Sequence, residues 1–248
     1  MADHYKTQGF VLHREDRLEA DRIFSVFTRD FGRIEIFAKA IRKIDAKLKG
    51  GIEIFSFSEI EFIQGRHKKT LTDALFLENC KIVASDPEKF EVAGKISSTV
   101  EHFVKGSEAD EQIWNLLKEV FEKLNSQDFA RNKLLYYYFF WNFIAVLGYQ
   151  PQLFACAMCH QPLHHQHLYF SCKEGGLLCQ ECAIKEPVAK KINADAVKIL
   201  RLMLEKNWSI LSKVTMAPAS KKIVKEISDW QYRYLLDSVA HTQAPQHL

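Results

Sequence analysis

Four cysteines stand as two Cys-x2-Cys pairs, Cys156-Ala157-Met158-Cys159 and Cys179-Gln180-Glu181-Cys182, with nineteen residues between them. Each such turn lets two thiolates converge on one ion while backbone amides face the sulfurs, and two turns complete the tetrahedron that Zn2+ accepts. Gly175-Gly176, just before the second pair, supplies a tight turn. Four thiolates close the coordination shell, whereas catalytic zinc keeps one position for water, so the role expected is structural. The deaminase signature is missing, because Ala155 and Leu178 precede the two pairs where that chemistry would need proline before one of them. Cys172 and four histidines (His160, His164, His165 and His167) share the segment, so a three-cysteine, one-histidine set stays open beside the simpler quartet. In the quartet reading Cys172 is an unligated neighbour, and Cys80, alone at the end of an apolar run, is a small buried hydrophobe.

A second constellation is cationic. Lys39, Arg42, Lys43, Lys47 and Lys49 fall within eleven residues against one acid, Asp45, and Arg66, Lys68 and Lys69 form a further trio. Net charge is only +3, so any polyanion partner must be held by this local clustering. A basic loop and a basic hairpin tip on a small barrel can neutralise successive phosphates, with Phe31, Phe37 and Phe57 as base-stacking candidates. No base-reading motif accompanies them, so binding is expected to be sequence-tolerant and salt-sensitive. A third, looser group (Lys190, Lys191, Lys198, Arg201 and Lys206) offers cations to an acidic partner peptide, with Lys191, Lys198 and Arg201 foremost.

The elements that must position these groups change character along the chain. Gly9–His13, Arg22–Thr28, Arg33–Ala38, Ile52–Ile63 and Thr70–Leu77 are short, β-branched and aromatic, and the fourth alternates at period two. The turns between them are Arg29-Asp30-Phe31-Gly32 and Gln64-Gly65-Arg66-His67-Lys68-Lys69. Five such strands in about eighty residues predict a closed barrel of the OB type. From Ser85-Asp86-Pro87 the period becomes helical, with apolar Phe90, Ala93, Ile96, Val100 and Phe103. Further helices are expected near 111–124, 129–147, 194–205 and 220–239. The class expected is α+β: an N-terminal five-stranded OB-fold barrel over 1–80, an α-helical domain over 81–152 and 185–240, a zinc-knuckle insert over 153–184, and a disordered tail over 241–248.

Composition narrows the function classes. At 47% hydrophobic and 26% charged residues the chain reads as a globular protein. Met1–Lys6 has no apolar leader core. The uncharged run Leu134–Leu147 is too short to span a bilayer and ends at Gly148 with Pro151 behind it, so it reads as a buried helix. A cytoplasmic protein without a membrane partner is expected, and reduced cytosolic thiols favour metal over disulfides. No phosphate loop G-x-x-x-x-G-K-[ST], G-x-S-x-G elbow or H-E-x-x-H helix occurs, and the carboxylates are scattered singly, so no enzyme active site is expected.

Short segments in a fixed order point to a family. Gly9-Phe10-Val11-Leu12, Glu19-Ala20-Asp21-Arg22, Phe27–Gly32 and Ala38-Lys39-Ala40-Ile41-Arg42-Lys43 resemble the N-terminal pattern of the RecO recombination mediators. Leu147-Gly148-Tyr149-Gln150-Pro151, Phe170-Ser171 and Gly175–Cys179 resemble the surroundings of that family's knuckle. Ala40 departs from the glycine the family tends to place in the basic loop, Ala46 from its common serine, and Cys172 lies outside its usual quartet. The resemblance implies a bacterial nucleoid-associated protein that binds single- and double-stranded DNA, anneals complementary strands and pairs with RecR. It also implies help in loading RecA onto DNA coated by single-strand-binding protein, whose acidic C-terminal tail it contacts. Two rivals remain. A zinc-finger DNA glycosylase/lyase would need a nucleophile that Met1-Ala2-Asp3 does not supply as proline, and a zinc-stabilised interaction scaffold would not touch DNA.

Overall fold

The computed structural model describes residues 3–43, 47–78, 83, 85–126 and 134–242, and the side chains at 49, 78 and 239–242 are not described. The chain divides into two compact units, Met1–Phe129 and Ala130–Leu248. The spatial division therefore falls later than residue 80, because two helices beyond the barrel pack on it.

In the first unit, β1 (Asp3–Arg17), β2 (Asp21–Thr28), β3 (Gly32–Ala38), β4 (Phe57–Gln64) and β5 (Lys69–Glu78) close in the order β1-β2-β3-β5-β4. All pairings are antiparallel except β3 with β5, which is parallel at Ile36–Lys69 and Phe37–Thr70. That is the five-stranded OB barrel expected from the periodicity. Val11, Phe24, Val26, Ile34, Ile36, Ile60, Phe62 and Leu71 fill its interior.

β1 extends well beyond Gly9–His13. Its polar ends, Asp3–Gln8 against β4 and His13–Arg17 against β2, are held by backbone pairing while their side chains mostly face water. β4 begins at Phe57 rather than Ile52, because Phe55 takes φ +62 and breaks the pleat. The Phe55 ring instead stands 5.1 Å from Phe90 and 6.3 Å from Phe121, in the aromatic layer under the barrel.

That layer is completed by α1 (Pro87–Phe103) and α2 (Glu111–Asn125). Both start on an aspartate cap: Asp86 accepts from the N–H groups of Glu88 and Lys89, and Asp110 from those of Gln112 and Ile113. Phe10 meets Phe121 at 4.1 Å and Phe57 meets Trp114 edge-on at 5.6 Å. Arg33 donates from Nε to the Val104 carbonyl at 2.8 Å.

The second unit is built around α3 (Leu135–Val146), the uncharged aromatic helix, buried along most of its length. Its described residues begin at 134, so the expected start near Phe129 lies outside them. Trp141 donates from Nε1 to Ser228 at 2.9 Å, and Asn142 donates to the carbonyls of Tyr138 and Met203, each at 2.8 Å. These bonds tie α3 to α5 (Ala194–Leu204) and α7 (Pro218–Thr242), and a short α6 (Trp208–Leu211) lies between those two in sequence. Gly148 ends α3 at φ +90, where Tyr149 N–H reaches the Ile144 carbonyl at 2.8 Å. α7 runs to Thr242, two residues into the stretch 241–248 expected as a tail, and the rest of that stretch lies outside the described residues, as does Cys80. No helix among the described residues is long and apolar enough to cross a membrane.

Candidate metal centre and nucleic-acid interface

Between α3 and α5 the chain forms β6 (Leu168–Ser171), β7 (Gly176–Leu178), α4 (Gln180–Lys185) and β8 (Lys190–Ile192), the strands ordered β7-β6-β8. Gly175 takes φ +67, and a Cβ on Gly176 would collide with the Gln152 backbone. Backbone bonds Gln152 N–H to Gly175 O and Leu177 N–H to Gln152 O, both 2.8 Å, clip the entry strand to this hairpin. Cys156 and Cys159 flank a turn closed by His160 N–H to Cys156 O at 2.9 Å, with His160 at φ +59. Cys179 caps α4, and Cys182 sits one turn in.

The four sulfurs of Cys156, Cys159, Cys179 and Cys182 lie within 4.8 Å of one another, and Cys159 Sγ is 3.8 Å from Cys179 Sγ. Zinc–thiolate bonds of about 2.3 Å put the sulfurs of a tetrahedron roughly 3.8 Å apart, so these residues fit one ion. Among the described residues no histidine joins the cluster, and neither does Cys172. Burial opposes ionisation of Cys156, but backbone N–H groups of Cys159, Cys179 and Met158 outweigh it and lower that thiol to about 6. Burial and the neighbouring thiols push Cys182 up to about 12. One thiolate thus forms readily while the next resists, and a cation is what lets the whole set ionise. Cys172, 3% exposed, is pushed up to about 12 by burial and behaves as a core residue.

The cationic residues meet at the C-terminal end of β3. Lys39, Arg42 and Lys43, all exposed, leave that strand directly. The β4–β5 turn lies against the same end: Lys69 is paired in register with Ile36, and the Lys68 ammonium rests 3.8 Å over the Phe37 ring. Arg66 is exposed at the tip. Lys47 and Lys49 belong to a 3-10 turn, Lys47–Gly50; Lys47 is exposed, and residues 44–46 lie outside the described residues. Among the stacking candidates, Phe37 and Phe31 are half-buried, whereas Phe57 is buried against Phe10 and Trp114 and is closed to a base.

A third segment joins this end, the β1–β2 turn, whose residues enter the sequence analysis only through the family resemblance and not as site candidates. Arg42 N–H donates to the Ala20 carbonyl at 3.0 Å, and Asp16 lies 2.8 Å from Arg22 Nε and 3.5 Å from Arg42 Nε. Arg14 pairs with Glu53 and Arg17 with Glu15, so the strand ends beside the turn carry charge of both signs. Their arginines and acids alternate, which hides them from any search for a basic run.

The third cationic group is dispersed. Lys191 is exposed on β8, Lys190 rests 4.7 Å over the Trp230 ring, and Lys198 is 3.8 Å from Asp195. Arg201 is committed to its own unit: Nε and Nη2 donate to the Leu153 carbonyl at 3.0 and 2.5 Å, and its guanidinium stands 4.6 Å over the Phe154 ring.

Comparison with known proteins agrees with this architecture. Residues 1–80 match the family model described as recombination protein O N terminal, and residues 84–243 match that of recombination protein O C terminal. A DNA repair protein RecO of Dehalococcoides mccartyi is 32% identical over 201 residues, covering 81% of this chain and 78% of that one. The protein of the same name from a Roseiflexus species is 26% identical over 233 residues, 94% and 81% of the two chains. One from Alkaliphilus metalliredigens is 27% identical over 213 residues, 86% of each. With both family models matched in succession along its length and a relative 32% identical over most of both chains, this chain belongs to the RecO family of DNA repair and recombination proteins.

Proposed function

We propose that this protein is a non-catalytic recombination mediator of the bacterial cytoplasm and nucleoid. It holds single- and double-stranded DNA by its phosphates, anneals complementary strands, and with RecR helps load RecA onto DNA coated by single-strand-binding protein. The observation that carries this reading is the convergence of the residue 39–43 segment and the β4–β5 turn on one end of the barrel, at Phe37 and Ala38. Phosphate neutralisation by such loops is sequence-independent, as annealing of arbitrary complements requires. The DNA-holding part is assigned to residues 1–80, the helical part to 81–152 and 185–240, and the knuckle to 153–184. Zinc is the ion assigned to the four cysteines, where it would staple the knuckle and take no part in chemistry.

For the acidic tail of single-strand-binding protein, the group Lys191, Lys198 and Arg201 supplies cations, but Arg201 is already engaged with Leu153 and Phe154. A groove of about 890 Å³ supports the tail better: Leu134, Tyr137, Val214 and Met216 give it an apolar lining, and Lys213 and Lys221 add charge. An acidic peptide ending in an aromatic residue matches that combination.

The test is fluorescence anisotropy of a labelled single strand titrated at several salt concentrations. Each single-strand phosphate contact contributes roughly 0.7 to the slope of log affinity against log salt. Reversing Lys39, Arg42 and Lys43 to glutamate is expected to abolish most binding and flatten that slope by about 2 or more. Unchanged affinity in a folded triple variant would remove the basic-loop assignment.

A further inference from the structure

Phe154 is 65% exposed, an unusual position for a phenyl ring that belongs to the tightly clipped entry of the knuckle. Its backbone and its ring each have a partner. Phe154 N–H donates to the Gln152 side chain at 3.0 Å, and Arg201 lies over the ring at 4.6 Å. The guanidinium cannot drift, because the Leu153 carbonyl accepts two of its donors. Arg201 thus lies against the ring while most of Phe154 stays open to solvent, an arrangement that leaves room for a flat partner.

Two grooves meet at this ring. One, of about 280 Å³, brings His165, Lys198 and Arg201 together over apolar Leu163 and Val197. The other, of about 390 Å³, carries the amides of Gln150 and Gln152 but also Glu205. A carboxylate repels phosphate, so a polyanion would run on the Lys198 and His165 side. Asp195, 3.8 Å from Lys198, is an exposed partner that competing phosphate can displace. A nucleobase offers the flat π-face that stacks on a phenyl ring, and its backbone offers the anion that the lysine side favours.

We propose that Phe154, backed by Arg201, is a stacking platform for a base of single-stranded nucleic acid, a second strand-binding site located on the helical unit rather than on the barrel. This deepens the mediator reading and rests on it: annealing brings two strands to one protein, and a platform that holds a base by its face leaves the pairing edge open. The platform selects unpaired over paired strands, since bases stacked in a duplex present no free face.

The experiment is anisotropy with a labelled oligothymidylate and with an oligonucleotide of the same length carrying abasic sites, using the unaltered protein, Phe154→Ala and Phe154→Tyr. Stacking is worth about 1–3 kcal/mol per base, equivalent to roughly 5- to 150-fold in affinity. Phe154→Ala is expected to lose affinity in that range with the salt slope unchanged, and Phe154→Tyr to retain it. The abasic strand is expected to weaken the unaltered protein by a similar factor and to affect Phe154→Ala little further. An unaltered melting temperature for Phe154→Ala confirms that the exposed ring is not a fold determinant. If Phe154→Ala binds the strand as the unaltered protein does, the platform is overturned while the barrel assignment stands. The same holds if the loss appears only in capture of a partner protein. Absence of strand binding by the unaltered protein overturns the mediator reading and the platform together.

Discussion

Asp21 accepts the backbone N–H of Ala40 through Oδ1 at 2.7 Å, so the first residue of β2 fixes the turn that opens the basic loop. Ala40 sits there at φ +56, a left-handed conformation that costs an L-residue with a Cβ about 1–2 kcal/mol. Ala40→Gly relieves the strain but adds backbone entropy to the unfolded chain, so a net gain of about 0.5–1 kcal/mol is expected. Asp21→Ala, which removes the acceptor, is expected to cost about 1 kcal/mol. Urea midpoints of the two variants check both signs, and a destabilised Ala40→Gly would show that the loop is not strained in solution.

Asp16 lies between two guanidiniums, and the hydrogen bond from Arg22 holds its carboxyl below the usual 3.8. Its folded value is lower than its unfolded one, so its stabilising contribution is complete above about 3.8. The contribution disappears as pH falls through the lowered folded value. A carbon-detected titration should place the Asp16 midpoint below 3.8, and Arg22→Met should return it toward that figure. Under the mediator reading the same carboxylate competes with phosphate for Arg42. Asp16→Asn is then expected to raise single-strand affinity severalfold at low salt, more than Glu19→Gln on the same turn. Equal effects from the two variants would reduce the role of Asp16 to net charge alone.

The legible parts of the molecule are those where a side-chain pattern and a backbone need coincide. The period-two run at the middle of β4 and the paired Cys-x2-Cys turns are of this kind, because spacing alone fixes which face or which ion the side chains share. Asp3–Gln8 and Arg14–Arg17 are illegible as strand because backbone pairing holds them while their side chains mostly face water. Phe57 read as an open aromatic, yet α2 brings Trp114 to it across more than fifty positions of sequence. Arg201 reads as a cation for a partner peptide because nothing nearby in sequence reveals that Leu153 O and Phe154 arrive beside it. What sequence misses here is tertiary juxtaposition of residues whose types are individually unremarkable.

Ser228 gives a core test with an asymmetric outcome. Its hydroxyl accepts from Trp141 Nε1 and donates to the Val224 carbonyl at 2.7 Å within its own helix. Ser228→Ala strands a fully buried indole N–H, and the expected loss is about 1–3 kcal/mol. Trp141→Phe leaves the serine with its helical partner, so its cost comes from lost volume in the core. Adding Ser228→Ala to Trp141→Phe should therefore cost much less than Ser228→Ala alone. Additive losses in the double variant, measured by denaturation, would mean that the indole–hydroxyl bond contributes nothing.

Cys172 separates the metal set from a merely buried thiol. It is 3% exposed, its thiol is pushed up to about 12, and its sulfur stands outside the four that cluster within 4.8 Å. Cys172→Ala should leave about one metal equivalent per chain by elemental mass spectrometry, whereas Cys159→Ala should lose it. Thiols must surrender protons to bind a cation, so retention should fail as pH drops and return as it rises. Chelation should then unfold the knuckle, taking near-ultraviolet ellipticity from Tyr169, Phe170 and Trp141 in the Ala130–Leu248 unit. The barrel contains none of the four ligands, so its aromatic signals and its binding of a single strand through Lys39, Arg42 and Lys43 should survive the chelator. Full loss of metal in Cys172→Ala, with the fold intact, would show that the sulfur quartet is not the coordinating set.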